Sequence, residues 1–85
     1  MITDLINQLI EKNLRVIQVF FDGVDYRFTL ETGPIIIFSS TGDPSLSFRN
    51  LWAAIATNNL DLIQESASIN YVDLRFENKI VIGKK

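Results

Sequence analysis

The spacing of apolar residues constrains the fold of this 85-residue chain more than any other feature, because it alternates between a helical and an extended period. In residues 3 to 13 the apolar positions recur at i, i+1, i+4 and i+5 and form one stripe of an amphipathic helix. These positions are Leu5, Ile6, Leu9 and Ile10. The spacing predicts a first helix that covers one side of a sheet.

Three extended segments follow this helix. Arg15 to Phe21 is rich in β-branched and aromatic residues and ends at the turn-forming pair Asp22-Gly23. Residues 25 to 31 alternate, which predicts Tyr26, Phe28 and Leu30 inward and Asp25, Arg27, Thr29 and Glu31 toward solvent. Thr32-Gly33-Pro34 then leads into the apolar run from Ile35 to Ser39. Three strands joined by such short turns predict a β-meander, with Pro34 at a strand start or on an outer edge.

A second helix is predicted after the loop that ends at Asp43-Pro44, with Asp43 as N-cap and Pro44 in the first helical position. Its apolar residues recur at helical spacing, and Asn58-Asn59 offers a stop signal. They are Phe48, Leu51, Trp52, Ile55 and Ala56. An irregular stretch from Leu60 to Ser68 follows.

The last fifteen residues predict a β-hairpin. Val72, Leu74 and Phe76 fall on one face of an extended segment, and Tyr71, Asp73, Arg75 and Glu77 fall on the other. Glu77-Asn78-Lys79 supplies the turn, and Ile80-Val81-Ile82 is a β-branched run suited to a second strand. Because this strand runs almost to the end of the chain, one of its backbone edges is predicted to stay open to another chain.

These elements predict an α+β fold in the order α-β-β-β-α-β-β. We expect an antiparallel β-sheet of about five strands with two helices packed on it, as a single domain over residues 1 to 85. The pattern does not decide whether both helices cover the same face. Phe20 and Phe21 are adjacent in a strand, so one of them is expected to meet the second layer or the surface.

Composition argues against several classes of function. The chain has neither cysteine nor histidine, which removes disulfides, thiol nucleophiles, Cys/His zinc sites and histidine bases. A net charge of -2 and a pI near 4.9 argue against a nucleic-acid footprint. Asp22-Gly23-Val24-Asp25 lacks the ligand spacing of a calcium loop, and the loop from Ser39 to Asp43 lacks the lysine of a phosphate loop. We therefore expect no enzyme activity, no cofactor and no metal.

The chain has no apolar run approaching the roughly 20 residues of a transmembrane helix, and no signal peptide is visible. By these features alone it would be placed in the cytoplasm. Asp73 and Arg75 lie two apart on one strand face and are expected to form a structural ion pair with each other or with a neighbouring strand.

Tyr71-Val72-Asp73-Leu74-Arg75-Phe76, with the turn and Ile80-Val81-Ile82-Gly83 behind it, resembles the end of the extracytoplasmic β domain of the bacterial cell-division protein family FtsQ, called DivIB in Gram-positive bacteria. The resemblance implies a non-catalytic divisome scaffold that binds an FtsB/DivIC-like partner by strand addition at its last strand, with an FtsL-like protein joined through that partner. It also implies an upstream POTRA domain and one transmembrane helix. The 85 residues would then lie outside the cytoplasm, as the C-terminal piece of a membrane-anchored protein, without touching the membrane themselves.

Matched position by position, the resemblance assigns partner binding to one aromatic residue and the final strand. The residues are Phe76, Lys79, Ile80, Val81, Ile82, Gly83 and Lys84. Lys84 stands where the family often has an apolar or aromatic residue, which removes a hydrophobic anchor there.

Two alternatives stay open. Lys79, Lys84 and Lys85 are also the residues that protect an ordinary edge strand from pairing. The chain could instead be a stand-alone cytoplasmic α+β domain, with Met1 as its natural start, that binds a protein or a small ligand.

Overall fold

The computed structural model describes residues 2–41, 44–57, 61–62, 66–76 and 79–85. Its elements are α1 (Ile2–Glu11), β1 (Val16–Phe21), β2 (Asp25–Leu30), β3 (Ile35–Ser39), α2 (Pro44–Ala56), a 3₁₀ turn (Ser66–Ser68), β4 (Ile69–Asp73) and β5 (Val81–Lys84). The predicted α+β class and the order α-β-β-β-α-β-β are confirmed. Asp43, Asn58-Asn59 and Glu77-Asn78 lie outside the described residues, so the predicted N-cap, stop and turn there are untested.

The five strands form one sheet in the order β1-β2-β3-β4-β5. The pairs β1–β2, β2–β3 and β4–β5 are antiparallel, whereas β3–β4 is parallel and places Ile36 opposite Val72. The sheet is therefore mostly antiparallel, with one parallel pair that the sequence pattern did not predict. The reason is the connection, since the segment containing α2 returns the chain to the end of the sheet where β3 begins.

Both helices cover the same face of the sheet. Leu5 and Leu9 of α1 and Phe48 and Leu51 of α2 belong to one buried cluster. The strands contribute Phe28, Leu30, Ile36, Phe38 and Val72 to that cluster. Phe28 lies opposite Ile36, and Ile36 lies opposite Val72, so these three side chains point to one face. The domain therefore has two layers, with its core between helices and sheet.

A left-handed residue ends α1 and directs the chain into the sheet. Asn13 has φ 62°, its N–H donates to the Ile10 carbonyl at 2.9 Å, and the Leu14 N–H donates to the Leu9 carbonyl at 2.9 Å. This is the Schellman pattern, in which asparagine tolerates the left-handed conformation better than most residues. Because Leu9 and Leu14 are both buried, the helix end is also held by an apolar contact of the kind that accompanies this motif.

Most of the inward and outward positions predicted for β2 are confirmed, since Phe28 and Leu30 are buried. The predicted apolar strand β3 is buried at its centre, and Pro34 directly precedes it, in agreement with the predicted strand start. Asp25 is the exception. It was predicted to face solvent, but it is only 8% exposed, and the side chain of Arg75, just after β4, donates a hydrogen bond to it.

The terminal hairpin forms with shifted bounds. β4 begins at Ile69 and ends at Asp73, and β5 begins at Val81, one residue after the predicted start. Val72 and Leu74 are buried as predicted, whereas Phe76 lies beyond β4 and is 39% exposed. No helix in the described part of the chain is long and apolar enough to span a membrane.

Candidate functional site: the β5 edge and its surroundings

β5 is an edge strand, as the hairpin pattern predicted. It pairs with β4 on one side, and no strand pairs with its other side within the residues that the structure describes. Partner-binding residues predicted from the sequence lie along this strand and just before it. We call the main-chain groups that point away from β4 the β5 edge.

The ladder identifies which residues point outward. The Leu74 N–H donates to the Ile37 carbonyl of β3, so the alternate residues Tyr71 and Asp73 point toward β5. Tyr71 lies opposite Gly83 and Asp73 lies opposite Val81. The main-chain groups of Val81 and Gly83 are thus used within the fold.

The main-chain groups of the residues between them point the opposite way, to the open side of the sheet. Ile82 lies opposite Val72, whose main-chain groups face β3, so the N–H and C=O of Ile82 point to the open side. The same alternation places Lys84 outward, and the Lys85 N–H, which donates to the Ser68 carbonyl at 3.0 Å, points inward as the alternation requires. Ile80 lies just before β5, and its carbonyl points outward because the N–H of Val81, in the same peptide plane, faces β4. Ile80, Ile82 and Lys84 therefore form the β5 edge.

The side chains along β5 give this edge an apolar border. Ile80 and Ile82 are half-buried and pack against the core cluster. Val81 is half-buried on the other face of the sheet. A strand added beside β5 would meet partly exposed isoleucine side chains on the helix-covered face and Val81 on the other.

A side chain of β4 covers the backbone of β5 at Gly83. A Cβ atom at Gly83 would lie against Cε2 of Tyr71, far inside the contact distance. Glycine is needed here because the tyrosine ring covers the strand backbone, not because of its φ angle, which is unexceptional.

Phe76 lies shortly after β4, and Lys79 lies shortly before β5. The Lys79 ammonium lies 4.8 Å from the centre of the Phe76 ring, within the range of a cation–π contact. The two predicted contact residues are thus brought together at the end of β4, with the phenylalanine ring still accessible. An approaching aromatic or acidic side chain could engage either.

Asp73 and Arg75 form the predicted ion pair, and the structure adds a third member. Arg75 donates from Nε to Oδ1 of Asp73 at 2.9 Å and from Nη2 to Oδ2 at 2.6 Å. Its Nη1 donates to Oδ2 of Asp25, 50 residues earlier, at 2.8 Å. Since Asp25 lies in β2 and Asp73 in β4, the guanidinium bridges over β3 on the face without helices.

The charges in this cluster stabilise each other. Burial raises the pKa of Asp73, but the hydrogen bonds and charge of Arg75 outweigh that effect and hold the pKa below its ordinary value. The pKa of Arg75 is raised by its hydrogen bonds to Asp73 and then to Asp25. Both carboxylates accept hydrogen bonds from the same guanidinium, so the cluster ties β2 to the end of β4 across β3.

The opposite edge of the sheet was not singled out from the sequence. β1 is almost entirely exposed, including four large apolar side chains that are between 42% and 61% accessible. They are Ile17, Val19, Phe20 and Phe21. The sequence signal was the adjacent phenylalanines: one was expected at the surface or second layer, and both are about half exposed, pointing to opposite faces.

The fold and the two edges define the class of molecule: a two-layer α+β domain whose sheet, in the part of the chain that the structure describes, has an unpaired strand edge on each side. Comparison with protein-family models and with curated protein sequences found no match for this chain. Among the described residues, no group of three or more acidic side chains is placed to hold a metal ion.

Proposed function

We propose that this domain is a non-catalytic scaffold that binds an extended segment of another protein by strand addition along the β5 edge. The observation that supports this proposal is the β5 edge, where main-chain groups of Ile80, Ile82 and Lys84 point away from β4. Strand addition uses such groups for affinity and the flanking side chains for selectivity. The resemblance of residues 71 to 83 to the FtsQ/DivIB β domain supports an FtsB/DivIC-like partner, with an FtsL-like chain joined through it.

The charge of the edge supports a partner that differs from the domain itself. Lys79, Lys84 and Lys85 all lie at or beside β5. If two β5 strands paired antiparallel about Ile82, Lys79 would lie opposite Lys85 of the other copy, so like charges would meet at both ends. A partner segment with acidic residues near its ends would find complementary charge there.

The proposal also places the domain outside the cytoplasm, as part of a protein anchored by an upstream transmembrane helix. This placement rests on the resemblance. A reading frame that continues upstream through a POTRA domain to one transmembrane helix would support it, and a frame without them would contradict it.

The binding test is a titration of the domain with overlapping synthetic peptides from an FtsB/DivIC-like protein, followed by amide chemical shifts. We expect the amides of residues 79 to 84 and of Phe76 to shift with one of the peptides. Ile82→Pro removes the outward N–H and should weaken binding by about tenfold or more, the loss expected from one hydrogen bond and the steric block by the ring.

Ile82→Ala is the matched control, because it removes the same side-chain contacts but keeps the N–H. It should change affinity by less than about threefold. Val19→Lys, on the opposite edge, should leave peptide binding intact. If Ile82→Pro folds and binds as well as Ile82→Ala, or if no peptide shifts residues 79 to 84, strand addition at β5 is refuted.

A further inference from the structure

We infer that the β1 edge is a self-association surface, on which a second copy of this chain adds its own β1 antiparallel to extend the sheet. This goes beyond partner binding at β5, which uses the other side of the sheet. The β1 edge is defined here as the outward main-chain groups of β1 together with Ile17, Val19, Phe20 and Phe21.

The direction of the main-chain groups follows from the hydrogen bonds on either side of β2. The Leu30 N–H donates to the Pro34 carbonyl, so Phe28 and Tyr26, at even steps from Leu30, use their main-chain groups toward β3. Val19 lies opposite Phe28 and Phe21 lies opposite Tyr26. The N–H and C=O of Val19 and Phe21 therefore point to the open side.

The turn between β1 and β2 gives the same assignment independently. The Asp22 N–H donates to the Asp25 carbonyl at 3.2 Å, which makes this pair hydrogen-bonded across the hairpin. The neighbouring pair, Phe21 and Tyr26, is then a pair without hydrogen bonds between the two strands.

These outward groups determine the register of a symmetric pair. A two-fold axis perpendicular to the sheet at Val19 lets the two Val19 residues exchange both main-chain hydrogen bonds. Gln18 then lies opposite Phe20 of the second copy. Phe21 comes opposite Ile17, which lies at the register shift of β1 between Val16 and Gln18, so the regular ladder between the two copies spans Gln18 to Phe20. Every apolar side chain of the β1 edge meets an apolar or uncharged partner.

Charge does not oppose self-pairing at β1, in contrast to β5. β1 contains no charged residue and no proline, the usual devices that protect an edge. Arg15 precedes β1 and Asp22 follows it, so the register centred on Val19 brings Arg15 of each copy near Asp22 of the other, in addition to the pairs that Arg15 forms with Glu31 and Asp22 with Arg27 in the same chain. The two copies of Arg15 lie at opposite ends of the ladder.

The area available fits a weak dimer. Four apolar side chains that are roughly half exposed, two of them phenylalanines, present about 400 Å² per copy, so pairing would bury at most about 1,000 Å² once the backbone is included. This lies at the lower end of specific interfaces. We expect a dissociation constant on the order of 100 µM.

The test is sedimentation equilibrium of the 85-residue chain from about 10 µM to 1 mM, with amide chemical shifts over the same range. A dimer should appear with rising concentration, accompanied by shifts at Val19 and Phe21. Val19→Lys places two lysines opposite each other at the axis and should weaken dimerisation at least tenfold, while Val19→Ala should weaken it only a few-fold.

Ile82→Pro, on the far edge, is the control that separates this inference from the proposed function, and it should leave the dimer unchanged. A chain that is monomeric up to 1 mM would overturn the inference and assign the β1 edge to a different occupant. A dimer that withstands Val19→Lys, or that Ile82→Pro abolishes, would overturn it as well. None of these results alters the peptide test at β5.

Discussion

Replacement of Arg75 by alanine should destabilise the domain more than the loss of any surface ion pair. Arg75 donates three side-chain hydrogen bonds, two to Asp73 and one to Asp25. The two acceptor residues are only 5% and 8% exposed, so their carboxylates would be left desolvated without a partner.

The expected loss in the free energy of unfolding follows from the burial of the ion pair. Breaking a fully buried ion pair from one side costs about 3 to 5 kcal/mol. The Arg75 side chain is itself 37% exposed, so solvent and water penetration reduce the loss, and we expect about 2 to 3 kcal/mol at pH 7. For a domain of this size the midpoint of thermal unfolding should fall by about 10 to 20 °C.

The assay is urea unfolding followed by Trp52 fluorescence at pH 7 and at pH 3. In the wild-type protein the lowered pKa of Asp73 means that its stabilising contribution is complete above the unfolded pKa near 3.9 and is lost as pH falls through the lower folded value. In Arg75→Ala, an unpaired buried carboxyl has the opposite tendency and is relieved by protonation. The difference between the two proteins should therefore be smaller at pH 3 than at pH 7.

Arg15→Ala is the matched control, because Arg15 pairs with Glu31 at 3.9 Å with both side chains mostly exposed. Its loss should cost less than about 0.5 kcal/mol. If Arg75→Ala is no more destabilising than Arg15→Ala, or if its deficit is the same at both pH values, the bridge over β3 does not stabilise the domain as argued.

Two further changes test local features of the fold. Gly83→Ala should destabilise the domain by about 1 to 2 kcal/mol, because the new Cβ displaces the Tyr71 ring. In a Tyr71→Ala background the same change should be neutral or slightly stabilising, and an equal cost in both backgrounds would contradict the proposed contact. Asn13→Gly should keep or slightly raise the midpoint of thermal unfolding. Asn13→Val should lower the free energy of unfolding by about 1 to 2 kcal/mol, because a β-branched residue is strained at φ 62°. Similar midpoints for the two variants would rule out this account of the end of α1.

The two edge strands of the sheet have opposite chemical character. β5 is bordered by lysines that oppose self-pairing, while β1 is apolar and uncharged along its length. A domain that paired with itself through β1 would present two β5 edges on the outer sides of one continuous sheet. Two partner segments could then bind to one dimer without competing for the same strand.

The local spacing of residues was sufficient to predict the helices and strands, but not the contacts between residues that are distant in the chain. The helical stripe of Leu5 and Leu9 and the alternation of Phe28 and Leu30 depend only on residues nearby in the chain, and both predicted elements are present. Alternation also predicted that Asp25 would face solvent. It identified the correct face of the sheet, but it could not reveal that Arg75 covers that position, because the two residues are 50 positions apart.

The candidate site was predicted in the same partial way. The hairpin pattern located an open edge at the end of the chain, and the spacing of Asp73 and Arg75 predicted their pairing. The hydrogen bonds between β3 and β4 determine which residues of β4 bond to β5, and so which main-chain groups of β5 face outward. Ile80, Ile82 and Lys84 could therefore be identified only from the pairing of the strands in the sheet.

The sequence by itself determined the period of each segment, and with it the order of helices and strands, because side-chain direction repeats every 3.6 residues in a helix and every two in a strand. Tertiary structure alone decided that β3 and β4 run parallel, that both helices share one face, and that β1 stays uncovered as the second edge. These outcomes depend on which distant segments exclude water from one another. That is a property of packing between elements and leaves no trace in the local spacing of residues.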